Sequence, residues 1–283
     1  MGREDNARVF EDTRLQCKRN AELSNAVKNS TAKQKLILES DVVTPVNKEK
    51  YNKAAKVLVS KKRSYDAANA YKGLEICVHN FASATNPGGG VVNGSSAQEE
   101  SLCRCSTLYF SLNTPDMWDG FYTPHRMEHN PIHNDDCVYT PEVIVMKSDT
   151  DRPVMLPQNK WNRVNVITCA APNLREKPSN SMNQGDGTAA IKVSDKELLG
   201  IHEKRLTRIL DIALAEGNEV VILGAFGCGA FRNNPEVVAR AAKNVISNYL
   251  NAFEVIEFAV YCPPKDDSNF RVFDRVMKPL TNK

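Results

Sequence analysis

From Glu75 onward the chain alternates short apolar runs with longer stretches of helical spacing. The runs fall at residues 75–81, 142–146, 164–169, 220–223 and 256–261. Nearly unbroken apolarity over four to seven residues predicts central strands covered on both faces. Two intervening helices carry their own start signals. Ser194 with Glu197 predicts a capping box opening a helix over 195–216 that Gly217 closes, and Asn234 followed by Pro235 predicts a second over 235–251. In the second, Val237, Val238, Ala241, Ala242, Val245, Ile246, Tyr249 and Leu250 recur at the spacing of one buried face. Strands that alternate with helices predict a three-layer α/β/α arrangement around one sheet.

The first third reads differently. Residues 3–30 predict one or two helices, with Val9, Leu15, Ala21, Leu23 and Val27 spaced by threes and fours. Residues 31–41 carry no clear pattern, and Val42, Val43, Thr44 and Pro45 predict a short strand or turn. Residues 47–72 are rich in Lys and Ala, with a strand-like run at Val57, Leu58 and Val59. The expectation is one domain over 1–283: a largely helical arm over 1–72 and an α/β core over 73–283. Residues 112–140, with three prolines, predict a long loop or irregular insertion. Its aromatics Trp118, Phe121 and Tyr122 could lie over a cleft. His125, His129, His133 and Cys137 recur every fourth residue, but Asn130 and Pro131 interrupt any helix that would align them, which argues against a metal site.

Composition narrows the class. A chain of 283 residues that is 41% hydrophobic buries a substantial core. No run approaches the roughly 18 apolar residues of a membrane span, and the acidic, polar N-terminus is unlike a signal peptide, so no membrane partner and a cytoplasmic location are expected. Eight scattered cysteines, several inside apolar runs, predict buried reduced thiols. The net charge of +3 hides sixteen Lys/Arg against nine Asp/Glu in residues 1–72. That excess either attracts a polyanion or is a solvated helical surface; direct nucleic-acid binding is left open.

Candidate chemistry sits in two glycine-rich turns. Gly88, Gly89 and Gly90 follow the first core strand, and seven residues later Gln98, Glu99 and Glu100 open a new helix. Successive glycines let a backbone approach a ligand and turn several N–H groups inward, as a diphosphate cradle requires. Carboxylates beside such a cradle repel phosphate and suit chemistry on a neighbouring sugar. The bland alternative is that Glu99 caps its helix with Ser96. The second turn, Gly224 to Phe231, lies between a strand and the helix headed by Asn234, where unpaired N–H groups favour an anion. Ala170 to Asn173 either walls the cleft or ends a strand.

The GGG and QEE words at this spacing, together with NFASATNPGGG, ITCAAPN and GAFGCGAFRN, resemble the bacterial-type poly(ADP-ribose) glycohydrolases. The resemblance implies a macrodomain-like fold with a mixed central sheet and an N-terminal helical extension. It implies Glu100 as general acid/base and Glu99 as the residue positioning the ribose hydroxyls. Gln98 would hold loop or substrate, and Asn80 and Asn86 would meet the distal ribose. Gly227, Cys228, Gly229 and Ala230 would form the diphosphate loop, with Phe231 beside the distal ribose. The implied substrate is poly(ADP-ribose) or an ADP-ribosylated macromolecule, with ADP-ribose as product and neither metal nor cofactor. Alternatives are a hydrolase of single ADP-ribosyl groups on protein or nucleic acid, and a non-catalytic ADP-ribose-binding module. A nucleoside-diphosphate-sugar phosphatase is disfavoured because the sequence has no metal-binding carboxylate cluster.

Overall fold

A computed structural model describes residues 1–44, 47–180 and 184–281. Seven strands form one mixed sheet: β1 (Lys35–Ile37), β2 (Lys56–Ser60), β3 (Ile76–Ala82), β4 (Cys137–Val145), β5 (Asn162–Ala170), β6 (Val220–Leu223) and β7 (Val255–Ala259). Their order is β1-β4-β5-β3-β6-β7-β2. The five strands β5-β3-β6-β7-β2 are mutually parallel, while β4 runs antiparallel to β5 and the edge strand β1 runs antiparallel to β4. Side chains alternate strictly between the two faces. Cys77, Val221, Leu223, Ile256 and Phe258 enter one apolar core, and Ile76, Val78, Val220, Ile222 and Val255 enter the other. The helices Asp195–Ala215, Pro235–Ile246 and Ser268–Thr281 cover the first core, and Gln98–Cys105 and Leu108–Leu112 cover the second. This is the three-layer α/β/α arrangement that the alternating pattern predicts.

Local signals hold where hydrogen bonds close within a few residues. The Ser194–Glu197 capping box forms, and the Asn234 side chain accepts from the Glu236 N–H. The second helix ends at Ile246 rather than near 251. At the N-terminus two helices, Arg3–Arg19 and Ala21–Lys33, bury Phe10, Cys17, Leu23 and Ala26. Val9 and Leu15 are only half-buried, so the inward face is rotated by about one residue from the predicted one.

The stretch without clear pattern contains β1, and the Val57 run is β2; together they form both edges of the sheet. Residues 42–44 have no regular structure, and Pro45, the end of the predicted strand or turn, lies outside the described residues.

The expectation for 112–140 is overturned. Most of residues 108–128 is helical, in four short segments. The helical path ends at His129, in a left-handed conformation (φ 50°), and His133 is left-handed too (φ 59°). His125, His129, His133 and Cys137 therefore do not share a helix face. His125 is buried, with its ring nitrogens 2.7 Å from the Phe121 carbonyl and 2.9 Å from Asn134 Oδ1. Phe121 and Tyr122 are core residues and cover no cleft, and Trp118 instead lies beneath the Arg126 guanidinium at 4.6 Å. Strand β4 starts at Cys137, five residues before the predicted run, because a bulge at Thr140–Val143 lets it pass Pro141. All eight cysteines are unpaired and six are buried. Among the described residues no helix is long and apolar enough to cross a membrane.

Candidate active site

Five parallel strands place five loops on one edge of the sheet, where ligands of open α/β folds bind. There the protein has a cavity of about 610 Å³. Following strand order, its floor passes Ala171 after β5, Ser83 and Gly89 after β3, and Ala225, Gly227, Gly229, Ala230 and Phe231 after β6. It continues past Val260 and Tyr261 after β7 to Arg63 and Ser64 after β2. Four inter-strand steps of ~4.8 Å make this track roughly 19 Å long.

The first glycine turn is not the phosphate cradle that its composition suggests. Gly88 and Gly89 are left-handed (φ 65° and 55°), but their N–H groups are spent inside the turn and on the carboxylates. Gly89 N–H donates to the Asn86 carbonyl at 3.0 Å, and Gly90 N–H donates to Glu100 Oε1 at 3.0 Å. Gly88 packs toward Tyr109 and does not line the cavity. A Cβ on Gly89 would meet Glu100 Oε1 at 2.6 Å and Glu99 Oε2 at 3.2 Å, so both carboxyls converge on this glycine. The turn is a holder for two acids. The first helix fixes the turn's far end and the helix that follows: Asn6 Nδ2 donates to the Gly94 carbonyl at 3.1 Å, and Thr13 Oγ1 donates to the carbonyl of Arg104, in the last turn of the helix Gln98–Cys105, at 2.5 Å.

The acids are held differently. The predicted Ser96 cap does not form; Ala97 is the N-cap, without a side-chain bond. Glu99 Oε2 instead accepts from Ser83 N–H at 2.8 Å, and Oε1 from Asn80 Nδ2 at 3.3 Å. Burial, and next the neighbouring Glu100 charge, hold the Glu99 carboxyl well above the usual carboxylate range. Glu100 is raised as well, chiefly by burial, against the Gly90 hydrogen bond that lowers it. Its Oε2 is buried without a hydrogen-bond partner among the described residues. Two carboxyls converging on one glycine disfavour ionising together, which adds to the upward shift that burial imposes on Glu99.

The second glycine turn leaves more of its backbone donors unpaired. Among the described residues, the N–H groups of Gly227, Gly229, Ala230 and Phe231 have no protein acceptor, and all four residues line the cavity. Among the described residues, a Cβ on Gly229 would meet nothing within 4 Å. Cys228 does not line the cavity; its Sγ lies 3.7 Å from the Phe226 carbonyl. Gln98 lines the cavity yet acts as a brace, accepting from Phe81 N–H and donating to the His79 carbonyl and Ser64 Oγ. Asn80 is fully buried behind Glu99. Asn86 is not among the cavity-lining residues, because its side chain bonds Arg126, Thr85 and the Gln184 carbonyl instead.

Residues 6–148 match the family model of the microbial-type PARG catalytic domain. The chain belongs to this family. Its fold is that of the poly(ADP-ribose) glycohydrolase from Thermomonospora curvata, with a TM-score of 0.81 at 23% identity over 96% of this chain and 99% of that one. The same enzyme bound to the inhibitor ADP-HPD superimposes with a TM-score of 0.79 at 24% identity, over 96% of this chain and 99% of that one. The poly(ADP-ribose) glycohydrolase from Deinococcus radiodurans in complex with ADP-ribose aligns with a TM-score of 0.75 at 28% identity, over 90% of this chain and 98% of that one. No curated protein matches the sequence.

In this microbial-type PARG family member, sequence reasoning passed over two residues on the loops after β5 and β6, beyond the stretch that the family model matches. Asn233 is buried, with Nδ2 within reach of the Pro172, Gly227 and Phe231 carbonyls (2.6, 3.2 and 3.2 Å) and Oδ1 2.8 Å from His202 Nε2. It ties the β5 and β6 loops together. Its signal was an Asn directly before the capping Asn234, where only one is needed to start the helix. Arg175 also lines the cavity, bonded through Nε to Asn173 Oδ1 at 2.9 Å. Asn173, expected as a cleft wall or strand end, is fully buried and reaches the cavity only through this arginine.

Proposed function

We propose that this chain hydrolyses the ribose–ribose O-glycosidic bond of poly(ADP-ribose) and releases ADP-ribose from the chain end, with Glu100 as the catalytic acid and then base. The observation that carries this reading is the Glu100 carboxyl: buried, raised in pKa, oriented by Gly90 N–H, and left with one oxygen free at a cavity whose other turn offers unpaired N–H groups. A general acid must be protonated near neutral pH and within reach of the leaving oxygen. Protonated Glu100 gives its proton to the leaving hydroxyl oxygen as the anomeric C–O bond breaks. The resulting carboxylate accepts a proton from the water that adds to the oxocarbenium-like carbon. The products are ADP-ribose and a polymer one unit shorter.

Glu99, with both oxygens already engaged, positions the ribose rather than attacking it, and Asn80 positions Glu99. Gly227, Gly229, Ala230 and Phe231 bind the diphosphate. Its negative charge, held next to the anomeric centre, stabilises the developing cation. The length of the track supports one ADP-ribose unit laid across the strand ends.

The test is Glu100→Gln against wild type on labelled polymer, mono-ADP-ribosylated protein and ADP-ribosylated DNA. Wild type should release ADP-ribose from polymer. Glu100→Gln should lose turnover by at least ~10³-fold while keeping ADP-ribose affinity within a few-fold, since a positioned acid/base supplies ~10²–10⁴. Release from the modified protein or DNA but not from polymer would favour the mono-ADP-ribosyl reading. Binding without turnover of any substrate would favour the non-catalytic one.

A further inference from the structure

Three arginines line the cavity, and their surroundings differ. Arg3 is exposed at the rim. Arg63 is committed to Asp151 at 2.5 Å and lies 3.8 Å from the Tyr261 ring centroid. Arg175 is half-buried and makes no ion pair among the described residues: its hydrogen bonds go to Asn173 Oδ1 through Nε and to the Pro178 carbonyl through Nη2, with the Asp186 carboxylate and the Arg232 guanidinium as more distant charges of opposite effect. Its Nη1 has no protein acceptor among the described residues.

The position of Arg175 is set by the anion turn itself. Leu174 N–H donates to the Phe231 carbonyl at 2.9 Å, and the Arg175 guanidinium lies over the Phe231 ring at 5.6 Å. Behind it, Asn173 is anchored by a 2.6 Å bond to the fully buried Asp186. Arg175 thus travels with Gly229–Phe231, which hold the unpaired N–H groups.

A diphosphate seated there faces an electrostatic problem. Its charge lies across the cavity from the Glu99–Glu100 pair, and backbone N–H groups carry only partial charges. A full positive charge beside the turn offsets both. A guanidinium already held by two bonds also loses little freedom when it engages a phosphate oxygen.

We propose that Arg175 is a substrate-specificity residue for this site, binding the diphosphate of ADP-ribose through its unengaged Nη1 edge and selecting ligands by phosphate charge. This rests on the reading of the cavity as an ADP-ribose site. Arg175 takes no proton and does not touch the reacting carbon, so it acts on binding rather than on the chemical step.

The experiment measures ADP-ribose affinity by calorimetry for wild type, Arg175→Ala and Arg175→Lys at low and high ionic strength. Arg175→Ala should bind about 10- to 100-fold more weakly at low salt, the range for one lost charge-assisted hydrogen bond, and its affinity should depend less on salt. Arg175→Lys should restore the salt dependence and part of the affinity. Equal affinity of Arg175→Ala and wild type would overturn the inference. So would a weakened Arg175→Ala that keeps the full salt dependence, because a merely structural arginine would behave that way. Wild type that does not bind ADP-ribose at all would instead sink the parent reading of the site.

Discussion

Replacing Gly89 by alanine puts one methyl group against the proposed catalytic carboxyls without replacing a titratable side chain. Two effects follow from the structure. A residue with a Cβ in the left-handed region (φ 55°) carries a penalty of about 1 kcal/mol, which lowers the melting temperature by ~2–4 °C for a chain of this size. The new Cβ would also lie 2.6 Å from Glu100 Oε1, closer than carbon and oxygen approach without a bond, so the carboxyl must move by several tenths of an ångström. Such a movement weakens the 3.0 Å bond from Gly90 N–H that orients the acid. Misplacement by ~1 Å costs ~10²-fold in rate, so a smaller shift should lower kcat by ~10- to 100-fold. The anion turn after β6 is a separate loop, so ADP-ribose affinity should change less than about threefold, well under the ~1.4 kcal/mol of a tenfold change. The assay combines ADP-ribose release from saturating polymer, calorimetric ADP-ribose affinity and thermal melting. Gly89→Ala with wild-type kcat and a slightly lowered melting temperature would refute the reasoning. Gly229→Ala is the contrasting variant. Its Cβ meets no atom of the described residues within 4 Å, so stability should hold while ADP-ribose affinity falls.

Other consequences can be checked independently. Asn233→Ala removes the amide spanning three carbonyls and should cost ~2–3 kcal/mol in urea unfolding and weaken ADP-ribose binding. Asn234→Ala loses only a helix cap, ~1 kcal/mol, with affinity unchanged. The carboxyls of Glu99 and Glu100 sit above their ordinary 4.5, so the folded state holds their protons longer than the unfolded chain does. Their contribution to stability is therefore fully present below pH 4.5 and is lost as pH rises through the folded-state values, and Glu99→Gln should flatten the fall of melting temperature as pH rises above 4.5. The same protonation predicts that kcat/KM falls on the alkaline side, with an apparent pKa belonging to the pair, measured as polymer turnover against pH. His79 and His202 act in the opposite sense. Burial lowers them from 6.5 to about 3 and about 4, so the stability of their neutral forms is lost as pH falls from 6.5 toward those values. Acid titration of the melting temperature should show that loss, and a flat profile between pH 6.5 and 4 would contradict it.

What the sequence determined by itself is whatever closes within a few residues. Strands β3, β5, β6 and β7 are apolar runs bounded by polar turns. The Ser194 and Asn234 caps bond residues two or three positions away, and the glycine–glutamate spacing places two acids at one helix start. Those patterns were legible because one short segment supplies both donor and acceptor. The tertiary structure alone decided which residues meet. The first glycine turn reads as a phosphate cradle until its N–H groups are seen bonded within the turn and to Glu100. Asn86 reads as a ribose contact until Arg126, forty positions away, claims its side chain. The pattern for 112–140 was masked by prolines that sit near helix starts, and β1 and β2 are too short to stand out without the neighbours they pair with. Arg175 and Asn233 gained their roles from carbonyls and rings on other loops. Such partners are chosen by the packing of distant segments on a shared sheet edge, and nothing in the local composition of either segment encodes that choice.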